Sequence, residues 1–429
     1  MKKKIVLLLY MLTGIFMANS QTDVWSGDLD VQGTKLPVVF HLDEGNPTLD
    51  SPAQGVKGLP MKITKADGLS IIIEIPSIGA SFKGLCGIDR IIGKFNQLGA
   101  ELPLVLTPGD KIPQRPQTPQ PPYPYSIEEV SFTNGDAVLQ GTLTLPEGYD
   151  RGTPVVIMVT GSGLQNRDEE IFDHKPFAVI ADALAKNGIA SLRYDDRGYG
   201  ESTGDAVNCT TEDLMNDALS GIDLLRHKFN KVGVLGHSEG GTIAFMLGAE
   251  GKIDFIVSLA GMVVSGKETL LDQNRLFLSQ AGYPKETVEN YCAILRSAFD
   301  GDGSLPRDLE TSDLPKELKQ NLLPAFRQLE TPYMQYFLAL DMRDKLGNIG
   351  CPVFAINGTM DTQVFHENNL GALKAGLPSN NANKILAIDG VNHMFQHCMN
   401  GSVNEYATIE ETISPEVLEM ISQWINSLQ

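Results

Sequence analysis

The chain has 429 residues, 42% of them hydrophobic and 20% charged, with a formal net charge of −19. The length exceeds a typical single core and the balance is that of ordinary globular protein, which excludes disordered and fibrous classes. A chain this acidic, with no basic stripe, repels phosphate backbones and anionic membrane surfaces, so nucleic-acid binding is excluded from the expected functions.

In chain order, residues 1–20 read as a secretory signal. Lys2-Lys3-Lys4 is followed by the apolar run IVLLLYMLTGIFM (5–17) and the small residues Ala18-Asn19-Ser20. The run is too short to span a bilayer, so cleavage after Ser20 is expected, with export to the periplasm or beyond and no membrane insertion afterwards. A permanent N-terminal anchor is the alternative. Loss of the three lysines would take the charge to −22. No cysteine stands at the cleavage point to accept a lipid.

Residues 21–110 are β-rich. KLPVVFHL (35–42), LSIIIEI (69–75) and ASFKGL (80–85) are short runs separated by Gly, Pro, Asn and Asp. They predict a separate small β-domain, an antiparallel barrel or sandwich. His41 and Cys86 are lone residues there and read as structural. Eight prolines fall between 103 and 124. Proline fixes φ and removes an amide donor, so 111–125 is expected to be an extended, semi-rigid linker and a domain boundary.

From 126 to 429 the texture is α/β. An antiparallel hairpin over 128–146 opens it. Apolar strand-like runs follow at 155–160, 189–194, 232–236, 255–260, 352–356 and 384–388. Runs apolar on both faces predict a mostly parallel sheet flanked by helices. KPFAVIADALAKNG (175–188) and TTEDLMNDALSGIDLLRHK (210–228) carry helical periodicity, the second opening on a Thr210-x-x-Asp213 capping pattern. Residues 262–348 contain no strand pattern. Helical stretches such as 267–282 and 315–330 predict a helical lid insertion. Its Leu270, Leu276, Phe277, Leu322, Phe326, Tyr333 and Phe337 would line an acyl pocket, or simply pack the insertion.

The chemistry centres on Gly236-His237-Ser238-Glu239-Gly240. G-x-S-x-G directly after an apolar strand and before a helix is a nucleophile elbow: the sharp turn needs small neighbours and lifts the hydroxyl to a helix N-terminus. A serine nucleophile needs a base, and the base an orienting acid. Asp361 follows the strand at 352–356 and His393 the strand at 384–388, in the order Ser, Asp, His. The catalytic candidates are therefore Ser238, Asp361 and His393. Backbone amides of Ser162, in the glycine-bracketed loop VTGSGLQNRDE (159–169), and of Glu239 are the oxyanion-hole candidates. His366 lies too close in sequence to Asp361, His397 is expected to pack on the following helix, and His237 to support the turn. Arg193, Asp195, Asp196 and Arg197 form a charged knot read as a buried ion-pair network.

No metal or cofactor is expected. FDGDGSL (299–305) begins like a calcium loop but lacks its glycine and glutamate, and there is no H-E-x-x-H, Walker or dinucleotide motif. The five cysteines have no C-x-x-C spacing, and Cys351 with Cys398 is the favoured pairing for an exported protein.

From about 126 to the C-terminus the chain resembles the α/β-hydrolase superfamily. The motifs TGSGLQNRDE, HKPFAVIADALAKNGIASLRYDDRGYGES, GHSEGG, NGTMDTQV and NHMFQ carry the resemblance. It is most similar to the secreted bacterial serine-esterase branch, the dienelactone-hydrolase-like and serine-aminopeptidase-like hydrolases. The resemblance implies a Ser-Asp-His esterase on Ser238, Asp361 and His393. True dienelactone hydrolases use cysteine where this elbow has serine, so that substrate does not carry over. The expected function is cleavage of carboxylic esters, short-chain acyl esters first, through an acyl-enzyme, with a small-molecule or glycan-linked acyl ester as substrate. The alternatives are a serine peptidase or aminopeptidase of the same fold, and a glycan- or polymer-binding protein with an incidental hydrolase core.

Overall fold

In the computed structural model the described residues are 24–428, apart from 32–33, 44, 67–68, 88–89, 111–113 and 302–308. The leader-like segment 1–20 lies outside them. The chain divides into two compact units, one running to Pro116 and adding Val403–Glu410, the other comprising Gln117–Ser402 and Glu411–Gln429.

The first unit is antiparallel throughout. Its strands are β1 (Val24–Val31), β2 (Thr34–His41), β3 (Thr48–Ser51), β4 (Val56–Pro60), β5 (Lys62–Ala66), β6 (Ser70–Ile75), β7 (Ala80–Cys86), β8 (Ile91–Gln97) and β9 (Ala100–Pro108). They form one nine-stranded sheet in the order β4-β3-β2-β1-β9-β8-β7-β6-β5. Its two edge strands are consecutive in the chain, separated only by Met61, so the sheet curls back on itself towards a barrel. Short strands such as β3 and β4 carry too few apolar residues to be read from the sequence. The inside is built by alternation: Ile71, Ile73 and Ile75 of β6 are buried, as are Phe40, Phe82, Phe95 and Leu106. His41 is held by Asp50 at 3.0 Å, the structural role expected of it.

The second unit holds β10 (Ser126–Asn134), β11 (Ala137–Leu145), β12 (Val155–Val159), α1 (Pro176–Lys186), β13 (Ala190–Tyr194), α2 (Thr211–Arg226), β14 (Val232–His237), α3 (Glu239–Ala249) and β15 (Phe255–Leu259). Four helices follow, α4 (Gly266–Gln280), α5 (Lys285–Asp300), α6 (Lys316–Leu329) and α7 (Pro332–Ala339). Then come β16 (Val353–Gly358), α8 (His366–Gly376) and β17 (Lys384–Ile388), and, after α9 (Val403–Tyr406) of the first unit, α10 (Pro415–Asn426). The sheet runs β10-β11-β13-β12-β14-β15-β16-β17. The opening hairpin is antiparallel and β13 through β17 are parallel to one another.

Both faces of the five central strands, β12 to β16, are dry. Along β12, Val155, Ile157 and Val159 pack with α2, α3 and α8, while Val156 and Met158 pack with α1 and α10. That two-sided burial is the reason the central strands read as continuous apolar runs. The capping box at Thr210 is formed, its hydroxyl accepting from the Asp213 amide; such caps are worth about 1 kcal/mol. The helices α4–α7 enclose an apolar cluster of their own, including Leu271, Ile294, Leu322 and Phe326.

One expectation gains detail and one needs correction. The proline-rich stretch is anchored within the second unit from Gln117 onward: the Gln117 side chain donates to Ile413 O at 2.7 Å and accepts from Thr412 N at 2.5 Å, and Tyr125 donates to Asp182 at 3.0 Å. Cys351 carries no disulfide. It precedes β16 whereas Cys398 follows β17, so a parallel strand separates them and puts them at opposite ends of the sheet.

Candidate active site

In a parallel sheet every strand's carboxyl end lies at the same edge, so residues far apart in sequence collect there. Six of the described non-glycine residues with positive φ lie in loops that follow strands of this sheet: Glu169 (53°), Phe172 (50°) and Asp173 (62°) after β12, Ser238 (52°) after β14, Ala260 (52°) after β15 and Phe395 (60°) after β17. Strained backbone of this kind persists only where surrounding contacts over-determine it.

Ser238 sits between β14 and α3 with φ 52° and ψ −117°. Its amide donates to Leu259 O at 2.8 Å. The flanking glycines are compelled by contact. A Cβ on Gly236 would lie 2.0 Å from Gly240 O, and one on Gly240 would lie 2.0 Å from Val159 O. The loop after β12 passes against the serine, since a Cβ at Gly161 would come 3.2 Å from Ser238 Cβ.

Asp361 and His393 follow adjacent strands and meet. His393 Nδ1 donates to Asp361 Oδ2 at 2.7 Å, and both residues are buried. The other carboxylate oxygen accepts from the Gln363 and Val364 amides at 2.8 and 2.9 Å, which fixes the plane of the carboxylate. The His393 loop is held from below by Asn392, whose side chain accepts from the Met394 and Gln396 amides, both at 3.0 Å.

His237 does more than support its own turn. Its Nδ1 donates to Glu169 Oε1 at 2.9 Å and its Nε2 to the His393 carbonyl at 3.0 Å, with the two imidazoles 4.7 Å apart. Burial works against its charge, but the Glu169 carboxylate and the two hydrogen bonds raise the imidazole above the ordinary histidine value. Acceptors at both nitrogens hold it doubly protonated. Glu169 also accepts from the Gly161 amide at 2.8 Å, so one buried carboxylate ties the loop after β12 to the elbow and, through His237, to the backbone of His393.

The Glu239 side chain, assigned no role from sequence, is also engaged. It accepts from the Thr211 hydroxyl at 2.7 Å and from the Tyr333 hydroxyl of α7. Burial, then the Glu239 charge, pushes Tyr333 well above the ordinary phenol range. Tyr333 thus reaches a residue whose amide is a candidate for the oxyanion hole. In the sequence it looked like apolar packing; nothing local signals where a helical tyrosine aims its hydroxyl.

The charged knot resolves into pairs. Arg197 grips Asp217 with two bonds, at 2.7 and 2.6 Å, Arg167 pairs with Asp195 at 2.8 Å, and Arg193 pairs with Asp168. Asp196 has no cation. It takes the Thr160 hydroxyl at 3.0 Å and the Gln165 amide at 2.8 Å, and burial raises it to about 8 despite those donors, with Glu169 and Glu239 adding to the rise. His366 opens α8 away from this cluster. His397 does not pack on a helix; it is exposed and bonded to Glu411 at 2.9 Å.

Comparison with known proteins points to one family. The model of the X-Pro dipeptidyl-peptidase (S15) family matches residues 134–394. The esterase EstD of Thermotoga maritima is 27% identical over 308 residues, covering 70% of this chain and 68% of its own. Among solved structures, the Pyrococcus furiosus esterase Pf2001 is similar at 18% identity and a TM-score of 0.42, over 71% of this chain and 90% of its own. A dienelactone hydrolase from Anabaena variabilis is similar at 17% identity and 0.41, over 71% and 99%.

Proposed function

The chain belongs to the X-Pro dipeptidyl-peptidase (S15) family, within the α/β-hydrolase superfamily, and from that footing we propose that it is a serine hydrolase cleaving carboxylic esters. The observation that carries the reading is the 2.7 Å bond from His393 to Asp361, at the same sheet edge as a serine held at φ 52°. Ser238 attacks the acyl carbonyl while His393 takes its proton. Asp361, its own plane fixed by two amides, keeps the imidazole proton on Nδ1 and stabilises the imidazolium that forms. The amides of Ser162 and Glu239 receive the oxyanion, on the order of 3 kcal/mol each. The alcohol leaves, and water attacks the acyl-enzyme with the same histidine as base. The hydrolysis needs neither metal nor cofactor.

The helices α4–α7 act as a lid over the acyl pocket in this reading, with Tyr333 fixing α7 against the elbow. The substrate is a short-chain acyl ester, free or carried on a glycan. The leader-like residues 1–20 make it an exported enzyme, and sequencing the N-terminus of the mature protein tests that.

The family match favours a second reading, a peptidase. An enzyme that takes a free substrate amine needs an acid with a lone pair to spare. Two of the buried acids are engaged through both oxygens, Asp196 with Thr160 and Gln165 and Glu239 with Thr211 and Tyr333, whereas Glu169 takes His237 and Gly161 both on Oε1. The homologous esterase supports the ester. The experiment compares p-nitrophenyl acetate with Ala-Pro p-nitroanilide on the wild type and on Ser238→Ala. Ester turnover that falls roughly 10⁴-fold or more in the variant is expected. Undiminished turnover removes Ser238 from the role, and a preference for the anilide replaces the esterase with the peptidase.

A further inference from the structure

The loop after β12 carries a buried acid that the triad does not use. Glu169 is 3% exposed and sits at φ 53° in a turn shaped around it. Asn166 accepts the Glu169 amide on its carbonyl at 2.9 Å and the Asp168 and Glu170 amides on its side chain at 3.0 and 3.2 Å. Glu169 Oε1 accepts from the Gly161 amide at 2.8 Å and from His237 Nδ1 at 2.9 Å. His237 Nε2 donates onward to the His393 carbonyl at 3.0 Å. A Cβ on Gly161 would stand 3.2 Å from Ser238 Cβ, 3.5 Å from Glu169 Oε1 and 3.6 Å from His237 Nδ1, so the residue before Ser162 lies against all three.

Stability gives little reason for a charged pair at this spot. Burying two ions costs solvation that their attraction barely repays, and replacing such a pair by apolar residues of similar volume is often neutral. Position gives a better reason, because the pair stands where the loops after β12, β14 and β17 meet. We propose that Glu169 and His237 are positioning residues of the hydrolysis: as one carboxylate–imidazolium unit they hold the loop carrying Ser162 and the backbone of His393 in working register about Ser238. The inference rests on the reading of Ser238 as the nucleophile and adds two residues that never touch the substrate.

Neither charge would serve alone. His237 can donate from both nitrogens only as the imidazolium. That cation, its ring 4.7 Å from the His393 ring, would by itself oppose the positive charge His393 acquires on taking the serine proton. The Glu169 carboxylate offsets it. The other titratable groups facing the pair are His393 and Asp361 from the loops after β17 and β16, Asp196 from the loop after β13, and Glu239 at the start of α3. Burial lowers the His237 pKa, but the Glu169 charge and both hydrogen bonds, with Asp361 adding to them, carry it above the ordinary value. Once His237 loses its proton, one of its two acceptors faces a lone pair and one loop is released. A triad by itself loses rate at acid pH, as its histidine is protonated. This site should lose rate on the basic side as well.

The test combines two readouts on the full-length protein. Heteronuclear NMR with isotope-labelled histidine, the His237 signals assigned by their loss in His237→Gln, should show both ring nitrogens protonated and a midpoint above about 6.5 in the wild type, falling below it in Glu169→Gln. The pH profile of p-nitrophenyl acetate turnover should carry a basic limb whose midpoint coincides with that titration, and His237→Gln should lack the limb. Glu169→Gln keeps the size of the side chain and an oxygen for Gly161. Its kcat near neutral pH should fall roughly 10–100-fold, as a misplacement on the order of 1 Å does, with KM nearly unchanged and circular dichroism matching the wild type. A wild-type His237 midpoint at or below about 6.5, a basic limb absent or set apart from the His237 titration, or a folded Glu169→Gln protein with wild-type kcat each overturns the inference. The two wild-type readouts decide it even where a variant does not fold. Turnover kept by Ser238→Ala overturns the nucleophile reading and this inference with it; turnover lost there but intact in Glu169→Gln overturns this inference alone.

Discussion

Replacing Asp361 by asparagine tests the triad at its most constrained joint. The Asp361 Oδ1 position accepts two backbone amides, from Gln363 and Val364, and the Oδ2 position accepts His393 Nδ1. An asparagine can keep both backbone bonds only by placing its oxygen at Oδ1. Its NH₂ is then directed at His393 Nδ1. A donor facing Nδ1 forces the imidazole proton onto Nε2, the nitrogen that must accept from Ser238. The catalytic tautomer is lost with the fold intact, which in Ser-His-Asp enzymes lowers kcat about 10⁴-fold, or about 5.5 kcal/mol of barrier at roughly 1.36 kcal/mol per decade. The assay is p-nitrophenyl acetate turnover at pH 7.5 beside circular dichroism and a melting curve. A folded Asp361→Asn protein within tenfold of wild-type kcat would refute the role given to Asp361 and His393.

Three further outcomes follow from particular contacts. Asp196, at about 8 against an ordinary 3.8, holds its proton in the folded chain where the unfolded chain has lost it. The stability it contributes is complete below the unfolded value and is lost as pH rises from about 4 to 8; Asp196→Asn should therefore raise Tm above wild type at pH 9 and show less advantage at pH 5, and the reverse order would place a charged Asp196 in the folded state. Gly240→Ala places a methyl 2.0 Å from Val159 O in a central strand, so it should cost at least the roughly 1–3 kcal/mol of overpacking in urea unfolding and lower ester turnover with it. Asp217→Ala leaves the Arg197 guanidinium buried without its two-bond partner and should destabilise by about 3–5 kcal/mol, whereas a loss under 1 kcal/mol would mean solvent reaches Arg197.

Much of the second unit was legible because its signals are local. Apolar runs such as VVIMV are what a strand buried on both faces must be, the Thr210–Asp213 cap is a contact between residues three apart, and Gly236 and Gly240 flank Ser238 because any Cβ there would strike backbone. The pairing of Asp361 with His393 could be anticipated from order alone, since adjacent parallel strands deliver their carboxyl ends to one place.

What the sequence could not disclose depends on side chains meeting across elements. Glu169 reaching His237, Tyr333 reaching Glu239, the attachment of the proline-rich segment through Gln117, and the unpaired hydroxyls of Thr144 and Ser191 all depend on register and crossing geometry. No periodicity encodes these. Hydrophobic patterning determines which face of an element is buried, and packing alone determines which polar groups then come within 3 Å of one another.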